Sequence, residues 1–284
     1  MNASELETAV DSQKLDTDSP FAPEPGDRGL PAKPSVPRAP VHHYNESYFR
    51  VREYGKRPLG RFSMYWFARR YYAALLRRYA PAEGGSLLEV GSGLGHLLGL
   101  LQDDFQCTGI DMMDYAVEQT RQQAPRARVL PGDANQPLQF ETGEFSVVAA
   151  LHLIEHLERP RAFIGEIRRV LRPGGLFLFV TPHPEYALRS LKDPATDATG
   201  IDPTHINVQP PAVWRAWCAE NGFRIERHFG DGLWDVPYLP LVPTKLQFAL
   251  FGWPALLQVL TRGAFIPLNW GVNQIVIARK SAGI

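Results

Sequence analysis

The stretch Leu87-Leu88-Glu89-Val90-Gly91-Ser92-Gly93-Leu94-Gly95 constrains the chain more than any other. An apolar run carries one acid, three glycines then alternate with other residues, and an apolar helical pattern follows. Leu87 to Val90 reads as a buried parallel strand, because continuous apolar runs suit strands covered on both faces. Gly91 to Gly95 reads as a turn whose missing Cβ atoms let a ligand meet bare backbone. A helix expected over Leu94 to Leu101 aims its unpaired N–H groups at that ligand. The pattern predicts an α/β chain with a doubly wound sheet and a nucleotide-type site at the carboxyl end of its first strand.

The spacing separates two kinds of ligand. A dinucleotide loop reads G-x-G-x-x-G, whereas here the last glycine is replaced by His96. A pyrophosphate needs the close helix approach that glycine allows, and Glu89 would repel it while suiting an ammonium group. In this strand, acid and loop the chain resembles the class I S-adenosylmethionine-dependent methyltransferases, in particular their small-molecule branch. The resemblance implies a seven-stranded, mainly parallel Rossmann-like sheet with helical cap elements, and S-adenosylmethionine as cofactor. It places Gly91, Gly93 and Gly95 at the cofactor's backbone contacts and Glu89 at its amino end.

Four further motifs follow in register. A second strand, Gln106 to Ile110, ends in Asp111, 18 residues after Gly93 and near the ~20 expected for an acid on ribose hydroxyls. Met112 beside it joins the cofactor set. The alternative is that Asp111 or Asp114 opens the helix through Ala116, Val117 and Thr120. A third strand, Arg128 to Leu130, leads into Gly132-Asp133-Ala134, where the resemblance implies contacts from Asp133 and Ala134 to adenine; a plain turn acid is the alternative. The fourth strand, Phe145 to Leu151, runs into His152-Leu153-Ile154-Glu155-His156. H-x-x-E-H is also a zinc-peptidase signature, but that motif needs an uninterrupted helix, and here helix resumes only after Pro160. This reading calls for no metal. The resemblance instead puts His152 near the transferred methyl group; His156, on the following turn, reads as structural. A helix over Ala162 to Leu171, a turn at Arg172-Pro173-Gly174-Gly175 and a fifth strand over Leu176 to Val180 complete the motif series.

From His183 to Pro211 the chain is irregular and long enough to be a functional loop, and the resemblance makes 183–210 a substrate lid. Within its Thr204-His205 pair, His205 is the first candidate for a general base, since an imidazole gains and loses protons near neutral pH. A loop histidine bonded to backbone is the alternative. A helix over Pro211 to Asn221 and strands over Phe223 to Phe229 and Asn273 to Ala278 match the family sheet, whose last strand is antiparallel. Between them lies an apolar insertion, 233–267. Its segment 239–260 is interrupted by Pro243, Lys245, Gln247 and Pro254, which argues against a membrane span. A helical cover over an apolar pocket comes first, and weak contact with a membrane surface second.

Composition sets the remaining bounds. Lys plus Arg equals Asp plus Glu at 30 each, so no charge excess favours nucleic acid. Cys107 and Cys218 form no C-x-x-C pair, which fits buried thiols in a reducing compartment. Glu5, Glu7 and Asp11 argue against a secretory leader, so a cytoplasmic protein is expected. Residues 1–40, with prolines at 20, 23, 25, 31, 34, 37 and 40, read as a disordered tail. The resemblance makes residues 41–82 a helical cap, with Tyr44, Tyr48 and Arg61 as candidates at the cofactor's methionine end, and 83–284 the methyltransferase domain. The expected activity is methyl transfer to oxygen or nitrogen of a small, partly hydrophobic molecule. A non-catalytic cofactor-binding subunit and a nicotinamide-dependent oxidoreductase are the alternatives, and the acceptor and oligomeric state do not follow.

Overall fold

The computed structural model describes residues 63–81 and 85–282. The tail, most of the expected cap, and Tyr44, Tyr48 and Arg61 lie outside them. Seven strands form one sheet in the order β3-β2-β1-β4-β5-β7-β6. These are β1 Ser86–Val90, β2 Gln106–Asp111, β3 Arg128–Pro131, β4 Phe145–Leu151, β5 Leu171–Pro182, β6 Phe223–Gly230 and β7 Asn273–Lys280. The first five strands run parallel, and β7 is antiparallel to both neighbours, β5 and β6.

Alternate residues of each strand feed two separate cores. Leu88, Val90, Val148, Phe177 and Phe179 pack under α4 Pro160–Val170 and α5 Pro211–Glu220, through Phe163, Ile164, Ile167, Trp214 and Cys218. Leu87, Val147, Ala149, Leu178 and Val180 pack on the other face against α1 Met64–Tyr79 and α2 His96–Leu101, through Tyr71, Tyr72, Leu75, Leu76, Leu97 and Leu98. The described part of the expected cap is thus a layer of the core. α3 Asp114–Gln123 links β2 to β3. Both cysteines are buried and unpaired.

Two sequence expectations shift. The helix after the glycines starts at His96, because Gly95 takes a left-handed φ of 73° and ends the loop there. The fifth strand starts at Leu171 and has no separate turn before it. Leu171 pairs with Phe145 and Leu176 with Val147, so the extra residues of Arg172-Pro173-Gly174-Gly175 are absorbed in a bulge. Gly174 supplies the positive φ of 72° that this bulge requires.

Beyond β5 the long loop and the insertion share a satellite core of Tyr186, Leu233, Tyr238 and Val272. The insertion is a helical rod: α6 Thr244–Gln247, one wider turn at Phe248–Gly252, and α7 Trp253–Thr261. Its glutamines turn inward. Gln247 accepts from the Tyr238 and Leu239 N–H groups and donates to Leu239 and Val242, while Gln258 accepts from Phe265 and Ile266 and donates to Gly230. Among the described residues no helix is long and apolar enough to cross a membrane. Trp214 is fully buried between α5 and β5, with its ring against Phe179. Trp214→Ala is expected to lower the unfolding free energy by ~3–5 kcal/mol, measured by chemical denaturation.

Candidate active site

Strand order reverses between β1 and β4, so the crevice at their carboxyl ends is the natural binding place. The glycine loop leaves β1 into this crevice. Its N–H groups are largely engaged within the protein: Gly91 and Ser92 donate to Ile110 O, Gly95 to Ser92 O, and Gly93 to Asp111 Oδ2 at 2.9 Å. The glycines therefore serve shape more than donation, each at positive φ. A Cβ on Gly95 would sit 2.6 Å from the Thr120 Cα, so Gly95 lets α3 pack against the loop. A Cβ on Gly91 would meet the Leu153 side chain, whereas one on Gly93 would enter open space. Gly93 is the glycine of the three whose Cβ position is open.

Glu89 is buried, and its Oε2 has no hydrogen-bond partner. Burial pushes its pKa from 4.5 up to about 8; Arg69 opposes the shift, Asp111 adds to it, and the Leu98 N–H opposes it. Arg69 comes from α1, stacked 4.7 Å from the Tyr65 ring centroid, and Tyr65 meets His96 edge-on at 5.5 Å. Tyr65 and Arg69 were not singled out from sequence, and His96 was read only as the residue in place of the last glycine. The i, i+4 spacing of Tyr65 and Arg69 was the available signal.

Asp111 is buried at the end of β2. Its Oδ2 accepts from Gly93 and its Oδ1 from Met113 N at 3.0 Å. Burial raises its pKa against the backbone N–H groups of Gly93, Met113 and Met112. It thus braces the loop while Met113 is the residue that caps α3. Met112 is exposed beside it and Ala134 is buried, and Asp133 Oδ1 accepts from Asn135 in an Asx turn. An acid oxygen on Asp133 remains for another donor.

At the end of β4, His152 takes a left-handed φ of 53° and donates its N–H to Val180 O. Its ring is partly exposed, with Nδ1 3.7 Å from Glu155 Oε1. Glu155 is fully buried. Burial works to raise its pKa, but His152, His156 and His205 around it outweigh that and hold the carboxyl below the ordinary range. His205 reaches this group from the long loop: its ring centroid is 4.9 Å from that of His156, and its Nδ1 meets Thr199 O at 3.1 Å. The loop is pinned by Asn207 N donating to Glu155 O and by Arg189 pairing with Asp197. Asp231, just after β6, accepts from Asn273 and Trp234; burial lifts its pKa to about 6, opposed first by those hydrogen bonds and last by the charge of His152. It was also missed in sequence, where only Gly230-Asp231-Gly232 marks the place.

A family model for the methyltransferase domain matches residues 65–228. The chain belongs to the class I S-adenosylmethionine-dependent methyltransferase family. It is 32% identical over 167 residues to a probable S-adenosylmethionine-dependent methyltransferase of Mycolicibacterium smegmatis, covering 58% of this chain and 62% of that protein. It is 38% identical over 135 residues to a ubiquinone biosynthesis O-methyltransferase of Paramagnetospirillum magneticum, covering 44% and 54%. A fatty-acid O-methyltransferase of M. smegmatis is 32% identical over 124 residues, covering 42% and 45%. The matched segments span about half the length of these curated relatives. A putative methyltransferase from Bacillus halodurans shares the fold, with a TM-score of 0.52, 19% identity, and coverage of 74% of this chain and 98% of that one.

The open space at Gly93 and the partnerless buried oxygen of Glu89 fit a cofactor with an ammonium and no phosphate. Two outcomes test this geometry. Gly93→Ala is expected to cost ~1 kcal/mol of stability from its φ yet to weaken cofactor binding strongly, whereas Gly95→Ala should lower the melting temperature more. A melting curve and a binding isotherm for each variant check the split. Because the Glu89 pKa is raised on folding, the folded state binds the extra proton between pH 4.5 and about 8. Stability is therefore expected to fall as pH rises through that window, and Glu89→Gln should flatten the slope in denaturation series.

Proposed function

We propose that this chain transfers a methyl group from S-adenosylmethionine to an oxygen or nitrogen of a small amphiphilic molecule. The bound cofactor supplies a methyl group already activated by its sulfonium, so the protein's task is orientation and proton removal. Glu89 would hold the ammonium, the remaining lone pairs of Asp111 the ribose hydroxyls, and Asp133 with Ala134 the adenine edge, with Met112 covering the base. Gly91 and Gly95 set the loop's path around Gly93. His152, at the strand end nearest the switch point, would take the acceptor's proton, with the Glu155 carboxylate 3.7 Å from its Nδ1 favouring the imidazolium by charge. His205, the other candidate base, would act from beside His156, against whose ring it packs. The observation that carries the reading is the buried carboxylate oxygen of Glu89 with no partner.

Glu89→Gln replaces a charge-assisted contact with a neutral one, a difference of ~1–1.5 kcal/mol or roughly a fivefold to tenfold rise in cofactor KM. His152→Ala should lower kcat by about 10²–10⁴ with cofactor affinity kept. Both are read with isotope-labelled methyl donor against a panel of phenols, fatty acids and amines. Transfer to none of these classes by protein that binds the cofactor would favour the silent-subunit alternative.

The acceptor's amphiphilic character rests on the insertion. Leu246, Leu250, Trp253, Leu257 and Leu260 are exposed on one side of the rod, at helical spacing. Lys245 and Arg262 bracket them, and no Asp or Glu occurs between residues 236 and 272. With the polar glutamines turned in and leucines turned out, this face suits a lipid surface rather than water. Two relatives named for ubiquinone biosynthesis and for fatty acids fit such an acceptor source. The protein should cosediment with anionic vesicles, and Leu250→Asp with Trp253→Asp should abolish this without loss of folding. Light scattering that shows a stable dimer covering this face, with no vesicle binding, would contradict it.

A further inference from the structure

The H-x-x-E-H segment brings together more than the methyl-transfer reading uses. Glu155, His156 and His205 each offer one ligand atom, and these atoms lie within 4.8 Å of one another. Glu155 is fully buried, and neither of its carboxylate oxygens has a hydrogen-bond partner. Its nearest cationic candidate, His152 Nδ1, is 3.7 Å away, beyond hydrogen-bond length. A buried carboxylate left in that state is costly unless a charge meets it.

The two histidines are already set as ligands. His205 Nδ1 faces Thr199 O at 3.1 Å, and a carbonyl only accepts, so the ring proton sits on Nδ1 and the Nε2 lone pair is left over. His156 Nδ1 faces Thr204 O at 3.1 Å and Thr204 Oγ1 at 3.0 Å. The Thr204 hydroxyl proton is directed to Asp202 Oδ1 at 2.6 Å, so Oγ1 also accepts from the ring. His156 therefore carries its proton on Nδ1 too, again leaving Nε2. An acceptor behind each ring, one of them backed by a carboxylate, is the outer arrangement that orients histidines on metals.

We propose that Glu155, His156 and His205 form a site for a divalent transition-metal ion of the zinc class. Two imidazoles and one carboxylate suit zinc better than magnesium or calcium, which prefer all-oxygen sets. Ligands ~2.0 Å from a tetrahedral zinc stand roughly 3.3 Å apart, so the three groups close in modestly on the ion. Three protein ligands leave one position for water or an acceptor oxygen. The ion ties residues 199–207 of the long loop to the end of β4, where Asn207 already bonds the backbone of Glu155. The sequence motif thus contributes two adjacent ligands, not a peptidase helix, and the third comes from the loop 49 residues after His156.

The test uses untagged full-length protein, stripped with chelator and titrated with Zn²⁺ and separately with Co²⁺. Metal content per chain and the visible absorption of bound Co²⁺ are recorded without cofactor, so the outcome is independent of methyl transfer. His156→Asn and His205→Asn keep a donor near Nδ1 for the threonine contacts while removing Nε2. Wild type is expected to hold about one ion per chain with N/O-type Co²⁺ absorption, and each variant to bind at least tenfold more weakly with an unchanged metal-free melting temperature. Glu155→Gln should behave likewise. Folded wild type that binds no ion, or variants that bind as well as wild type, would overturn the proposal.

Discussion

The carboxylate of Asp111 holds the architecture of the site together. One oxygen takes the Gly93 N–H and the other the Met113 N–H, so a single buried side chain at the end of β2 fixes the loop that leaves β1 and the approach to α3. Thr120 reinforces the same joint, its hydroxyl donating to Gly93 O and its Cα packed where a Gly95 side chain would be. The loop keeps its shape through these contacts, which is why its own N–H groups are mostly engaged and its open side lies at Gly93.

A second joint governs the other wall. β4 ends in a left-handed His152, the next turn buries Glu155, and the long loop folds back to set His205 against His156. The loop is then locked to the insertion by the shared core of Tyr186, Leu233, Tyr238 and Val272 and by Lys192 pairing with Asp235. In this arrangement the apolar outer face of the rod, the loop and the end of β4 form one mechanical unit.

The sheet was legible because it is made of short apolar runs ended by Gly or Asp, and tertiary burial agrees with that local pattern. β4 has the bounds read from its residues, Phe145 to Leu151. β5 was read late because its first residues, Arg172 to Gly175, look like a turn, and only pairing with β4 makes them strand. Asp111 and Glu89 were found by spacing from the glycines. Arg69 and Asp231 were not, since each reaches the crevice from an element whose position depends on packing. The relation of Glu155 to His205 was equally hidden, because the two are 50 residues apart and nothing local specifies where a long loop returns. The insertion's outward leucines were visible as hydrophobicity, but their direction was set by Gln247 and Gln258 turning inward to bond backbone.

Glu89, whose carboxyl burial pushes up to about 8 when the site is free, is the proposed anchor of the sulfonium cofactor in the crevice between β1 and β4. Calorimetric titration with S-adenosylmethionine near neutral pH, in two buffers of different ionisation enthalpy, tests this directly. Binding is expected with a net release of protons that vanishes in Glu89→Gln, because the ammonium draws out the charged form of the acid. Absence of binding by folded protein, or binding with no proton release in wild type, would contradict the account.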